Sequence, residues 1–225
     1  LCEQDEFLVE ANDAAAMSLL SPRPFVIGPH LNVYSRAALA EHADLGAMRW
    51  VAPVELSLAA IGLVNPPEAA GETVRSRACG RRLSTEVWAF GRMPLAFSAR
   101  CFTARHHRLS KDDCAFRCRE DPDGLLLSSS EGQPFLVLNG IQTLSAGHGC
   151  LIAKRQALLA RGDDRVRLSP CSQRFAEVID LFDRVLNEGA RAEAALEALQ
   201  SMVPAGGLVD GYASARAGME WTQGA

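Results

Sequence analysis

The sequence predicts an α/β fold, (β/α) barrel-like, and three observations carry that expectation. Short apolar runs alternate with helical patterns from residue 7 to residue 65. The connections are short, and each βα piece takes roughly 20 to 25 residues, which suits parallel α/β folds. A late stripe of apolar residues at 175, 178, 179, 181, 182 and 185 has the helical period of a face turned to a core.

In chain order, "FLVEAND" (7–13) reads as a strand ending in a turn, and "AAAMSLL" begins a helix. "FVIGPHLNVYS" (25–35) is a short strand broken by Gly28 and Pro29. "RAALAEHADLGA" (36–47) is helical and stops at a glycine. "MRWVAP" is a strand, and "VELSLAAIGLV" is a helix stopped by "NPP". Residues 67–85, "PEAAGETVRSRACGRRLST", break this rhythm and read as a charged surface excursion. The strand pattern returns in "EVWAFGRMPLAFS". "DPDGLLLSSSEGQPFLVLNG" reads as a hairpin, because the polar turn "SSSEGQ" lies between two apolar runs. "CLIAKRQALLARG" is helical, "RVRLSP" is a late strand, and two helices follow in 173–203. The organisation is a barrel domain over 1–190, then a C-terminal helix and glycine-rich tail over 191–225.

Net charge is −4, with 48% apolar and 22% charged residues, so no global basic surface points to nucleic acid. No apolar run approaches the ~20 residues of a membrane span. The seven cysteines, at 2, 79, 101, 114, 118, 150 and 171, are an odd number in a chain large for a disulfide scaffold. Reduced thiols in the cytoplasm are the expectation. Cys150, in "GHGCLIA", reads as a buried, inert thiol. The chain starts at Leu1 and enters a strand almost at once, as if mid-domain.

Three thiols stand together in "SARCFTARHHRLSKDDCAFRC" (98–118): Cys101, Cys114 and Cys118, spaced C-x12-C-x3-C. If "DDCAFRC" is helical, Cys114 and Cys118 lie one turn apart, with "SKDD" supplying the cap. Thiolates are the ligands of iron–sulfur clusters and of tetrahedral zinc, and three need a fourth from elsewhere. Arg100, Arg105, Arg108, Lys111, Arg117 and Arg119 favour thiolate over thiol through their charge. The alternative is three unrelated thiols in a polar loop. His106 and His107 are either ligands or a solvated pair.

The motifs "VEAND" (9–13), "PF-x-x-GP-x-LN" (24–32), "MRW-x-x-PVELS" (48–57), "PLAFSARCFTAR" (94–105), "KDDC-x3-C" (111–118), "VLNGIQTLS" (137–145) and "VRLSP" (166–170) occur in this order. Together they resemble the peptidase U32-like proteins, and within them the UbiV-like branch of oxygen-independent ubiquinone biosynthesis. The resemblance implies a (β/α) barrel-like fold, a [4Fe–4S] cluster, and a heterodimer with a UbiU-like protein. It implies a part in hydroxylating aromatic ubiquinone precursors without molecular oxygen, with prephenate as a candidate oxygen donor. Cys101, Cys114 and Cys118 carry over as ligands, and the fourth falls in first βα units that are missing here. Cys2 stands too close to "VEAND" to match it, and the shortfall is roughly 70 to 80 residues. The chain departs from many U32-like proteins at Pro94, where they have a cysteine. No Ser-His or Cys-His arrangement supports peptidase chemistry.

Five other residues are candidates for a substrate pocket. Glu55, after the strand "MRWVAP", either faces a barrel mouth or sits at a helix N-terminus. Asn32 and Asn139 follow apolar strands and read as site or turn residues. Arg100 and Arg105 flank Cys101 and either bind a carboxylate or balance the cluster's charge. Two rival functions stay open: hydroxylation of RNA bases by a U32-like protein, and a non-catalytic metal-binding partner subunit.

Overall fold

Fourteen consecutive residues, Ser84–Phe97, form one strand that contributes to both of the chain's two compact units. The structure is a computed structural model and describes residues 6–110, 112–162, 164–203 and 206–222. The first unit runs to Trp88 and adds Lys154–Arg167 and Tyr212–Arg216; the second holds the remainder.

The first unit is built as the sequence predicts. Strand β1 (Glu10–Ala11), helix α1 (Ala14–Leu20), β2 (Phe25–Ile27), α2 (Arg36–Asp44), β3 (Ala47–Val51) and α3 (Leu58–Val64) alternate up to β4 (Ser84–Phe97). Strands β1, β2, β3 and β4 pair parallel in sequence order. Each helix is started by a side chain that accepts an otherwise unpaired amide. Asp13 takes the Ala16 N–H at 2.7 Å, Ser35 that of Ala38 at 3.2 Å, and Ser57 that of Ala60 at 3.2 Å. After α2 the chain turns at Gly46, φ +110°, where a Cβ would stand 2.6 Å from the Pro22 carbonyl oxygen. Phe25, Ile27, Leu39, Trp50, Ile61 and Leu83 are fully buried. Each such side chain contributes about 1.5–3 kcal/mol.

Alternation along the strands sorts the two faces of this parallel sheet. Thr85 faces α3, because the Asn65 amide at the end of that helix donates to Thr85 Oγ1 and to the Leu83 carbonyl, both at 2.8 Å. The opposite face carries Glu10, Arg49 and Glu86, strand positions joined across the sheet by the pairs Glu10↔Val26, Val26↔Arg49 and Val51↔Glu86. The segment 67–85 is more than an excursion, since Val74, Ser76 and Leu83 are buried.

In the second unit the α/β class acquires an antiparallel part. The later half of β4 pairs with β7 (Gln142–Cys150), β7 with β6 (Pro134–Asn139), and β6 with β5 (Leu125–Ser128), all antiparallel. The reason is connection length. Two residues, Gly140 and Ile141, join β6 to β7, and so short a link permits only an antiparallel pair. A short strand β9 (Leu208–Val209) lies parallel to β7. The expected hairpin is β5–β6; strand β7 was not foreseen. Helix α5 (Arg155–Ala160), which belongs to the first unit, is shorter than the stretch 150–162, because Cys150 still belongs to β7. Strand β8 (Arg165–Leu168), in the first unit up to Arg167, pairs with β4. The stripe predicted over 175–185 is α6 (Phe175–Leu186), which buries Val178, Phe182 and Val185 but leaves Ile179 exposed. Phe182 meets Phe90 edge-on at 5.7 Å. Helix α7 (Ala192–Met202) packs on α6. No helix among the described residues is long and apolar enough to cross a membrane.

Candidate functional site

The cysteine segment is shaped by short-range bonds. β4 ends at Phe97, and helix α4 (Phe102–His106) begins after Cys101. The Cys101 sulfur accepts the Ala104 N–H at 3.4 Å, in the place a serine oxygen takes at an ordinary helix start. The β6–β7 turn clamps this segment. The Ile141 carbonyl takes the Ser98 N–H at 2.8 Å, the Gly140 carbonyl takes the Phe102 N–H at 2.7 Å, and the Gly140 N–H reaches Thr103 Oγ1 at 3.1 Å. Asn139 ties the same turn to the chain just beyond Cys118, donating to the Pro122 carbonyl at 3.3 Å. Asn139 therefore acts as a turn and loop anchor.

Cys114 and Cys118 do not share an α-helix. Ala115 and Phe116 are left-handed, with φ +49° and +52°, and a right-handed helix cannot pass through two such residues. A 3-10 turn, Arg117–Arg119, holds Cys118 instead, and α4 packs against it. Of the proposed cap residues, Lys111 lies outside the described residues, as does Cys2. Arg117 pairs with Glu120, and the Arg119 guanidinium lies 5.2 Å from the Phe116 ring. Arg100 and Arg105 are exposed. His106 and His107 meet edge to face at 5.0 Å.

Cys101, Cys114 and Cys118 are all free thiols and all half-buried. In kind they fit thiolate ligation: none is tied up in a disulfide, and the elements carrying Cys101 and Cys118 pack on one another. Among the described residues no three His, Cys, Asp or Glu side chains are grouped as a single metal ion requires. The other thiols differ chemically. Burial pushes Cys150 up to about 12, as an inert core thiol requires. The Arg81 backbone N–H holds the Cys79 thiol below its ordinary value, helped by Ser76 and the Arg81 side chain.

The first unit holds a second polar constellation. Arg167, on β8, donates through Nε to Glu86 at 2.6 Å and through Nη2 to Glu10. Arg49 reaches the other Glu86 oxygen at 3.2 Å, and the Asn12 amide reaches Glu10 at 2.9 Å. Gly28 makes room for Asn12, since a Cβ there would stand 2.1 Å from its Oδ1. The Arg167 guanidinium also lies 5.8 Å from the Trp88 ring centre. Burial pushes the Glu10 carboxyl up, but the Arg167 and Asn12 hydrogen bonds and the Arg167 charge together hold it below its usual value. Burial lowers His30, against the pull of Glu10 and Glu55. Tyr34 donates its hydroxyl to Glu55 and lies 3.5 Å from Asn32 Oδ1. Burial and Glu55 raise it to about 12.

Glu55 and Asn32 therefore meet through Tyr34, in the first unit, at the carboxyl ends of β3 and β2, where parallel sheets place ligands. Glu55 is exposed and precedes the α3 cap, Ser57. Arg100, Arg105, Asn139 and the three thiols belong to the second unit. Sequence reasoning missed Tyr34, Glu10, Arg49, Glu86 and Arg167. For the four charged ones the signal was a charged residue inside an apolar strand, as in "MRWV", "EVWAF" and "RVRL".

No solved structure matches the chain. The family model described as peptidase family U32 matches residues 8–223, nearly its whole length. The chain belongs to that family.

Proposed function

We propose that this chain is the iron–sulfur subunit of an oxygen-independent hydroxylase acting on aromatic ubiquinone precursors, in the manner of UbiV-like members of the U32 family. Cys101, Cys114 and Cys118 would hold a [4Fe–4S] cluster with a fourth cysteine from outside this sequence, and the bound cluster would supply one-electron transfer. The observation that carries the reading is the set of three free thiols around α4 and its adjoining 3-10 turn, in a chain of this family. The chain's own residues do the positioning. The clamp from Gly140 and Ile141 fixes the start of α4, and Arg100, Arg105 and Arg108 bring positive charge to an anionic centre. The reading includes a (β/α)-like barrel, a UbiU-like partner, and prephenate as oxygen donor. Peptide hydrolysis is not part of it.

The test is full-length protein made without oxygen, assayed for iron and acid-labile sulfide. About four of each is the expected content. Cys114→Ala and Cys118→Ala should each remove most of the iron, while Cys150→Ala should not. One zinc with no sulfide would move the assignment to a metal-binding partner subunit.

A further inference from the structure

Arg92 and His148 are paired directly across strands β4 and β7, and each has a nitrogen without a partner. His148 is only 2% exposed, and its Nδ1 is buried and makes no hydrogen bond. Buried ring nitrogens are almost always paired, so this one calls for an explanation. Arg92 is anchored on one side only. Its Nη1 donates to the Ser145 carbonyl at 3.0 Å and to the Ala146 carbonyl. Nε is buried without a partner, and no hydrogen bond engages Nη2 among the described residues.

The anchored side leaves the opposite edge of the guanidinium free. That edge presents two coplanar N–H groups, Nε and Nη2, the fork that matches the two oxygens of a carboxylate. The nearest counter-charge does not fill it. Asp123 acts on both Arg92 and His148 through its charge, yet its two oxygens are held by the Ser172 N–H, at 2.8 Å, and the Ser172 hydroxyl. The neighbouring hydroxyl is occupied too: Ser145 Oγ accepts the Met93 N–H at 2.8 Å and donates to the Gly147 carbonyl at 2.6 Å. The unmet groups are thus two donors on Arg92 and one ring nitrogen on His148, which donates in its Nδ1–H tautomer.

We propose that Arg92 and His148 form a binding site for the carboxylate group of a small organic acid, received by the Nε/Nη2 edge of Arg92 with a third hydrogen bond from His148 Nδ1. The site includes none of Cys101, Cys114 and Cys118, so it stands whether or not those thiols hold a cluster. The two-pronged edge also explains why arginine, and not lysine, occupies this half-buried position.

The full chain, labelled with nitrogen-15, is titrated with benzoate and separately with inorganic phosphate. Binding is read from the Arg92 Nε–Hε resonance and by calorimetry. Benzoate should bind saturably and shift that resonance, with phosphate weaker. Arg92→Lys keeps the charge but loses the planar fork, and should weaken benzoate at least about tenfold. His148→Gln should weaken it by a smaller factor, and it carries the test if Arg92→Lys does not fold. Cys79→Ala, in the first unit, should leave benzoate affinity unchanged. An unmoved Arg92 resonance, or equal affinity in wild type and in the folded variants, would overturn the proposal. Phosphate binding tighter than benzoate would overturn its planar, two-oxygen specificity.

Discussion

Arg167 donates through Nε to Glu86 at 2.6 Å, from a strand 81 positions further along the chain. Both belong to the first unit, and the Glu86 side chain is only 9% exposed. An ion pair this enclosed is far costlier to break than to replace, because a lone partner keeps its desolvation penalty. Arg167→Met should therefore destabilise the chain by about 3 kcal/mol. Adding Glu86→Gln should recover part of that, with a coupling of about 1–3 kcal/mol in a double-mutant cycle. Denaturant melts of the four proteins supply the cycle, and simple additivity would contradict the pairing.

Acid should weaken the fold through His148 before it does so through any carboxylate. Burial, reinforced by the Arg92 charge and opposed by Asp123, lowers His148 to about 4. The unfolded chain protonates this residue near the ordinary value of about 6.5, so as pH falls the unfolded state takes up the proton first. Stability is full above about 6.5 and declines towards 4, by at most about 1.4 kcal/mol per pH unit. Glu10 acts in a lower window: its carboxyl is held down, so its contribution is full above the ordinary glutamate value and is lost as pH falls through the folded one. Melting temperatures between pH 8 and 5 should fall in the wild type. His148→Gln should remove most of that slope, and an unchanged slope would sink the assignment.

Alkylation should separate the thiols by environment. Cys79 has its thiol pulled down by the Arg81 backbone N–H, whereas Cys150 is fully buried and pushed up to about 12. The thiolate is the reacting species. In native protein treated with iodoacetamide, mass spectrometry should find Cys79 modified early and Cys150 only after denaturant is added. Comparable rates at the two positions would be incompatible with these environments.

Much of the first unit was legible because its signals are local. Asp13, Ser35 and Ser57 announce their helices, and "NPP" and Gly46 end two of them. The hairpin β5–β6 could be read from its polar turn. Strand β7 could not: "QTLSAGHGC" is small and weakly apolar, and it becomes a strand only by pairing with β4 and β6. The helix expected around Cys114 failed for a similar reason. Acidic residues before a cysteine look like a cap, but Ala115 and Phe116 take left-handed dihedrals that no residue type there advertises. The charged row Glu10, Arg49, Glu86 and Arg167 escaped notice because its members are up to 157 positions apart and meet only through tertiary pairing. The three cysteines were visible from spacing alone. The elements that carry Cys101 and Cys118, the start of α4 and the turn at 117–119, were not.

Strand β4 has a kinetic consequence. Its residues from Thr85 to Phe90 are almost all buried, and neighbours pair with it along its length. Exchange of a backbone amide hydrogen with solvent needs an opening that frees it, and the size of that opening sets the rate. At a sheet edge such as β1, fraying suffices. In the middle of β4 nothing short of parting the strand from its neighbours does, so these amides keep their hydrogens longest, and their exchange times the opening of the fold itself.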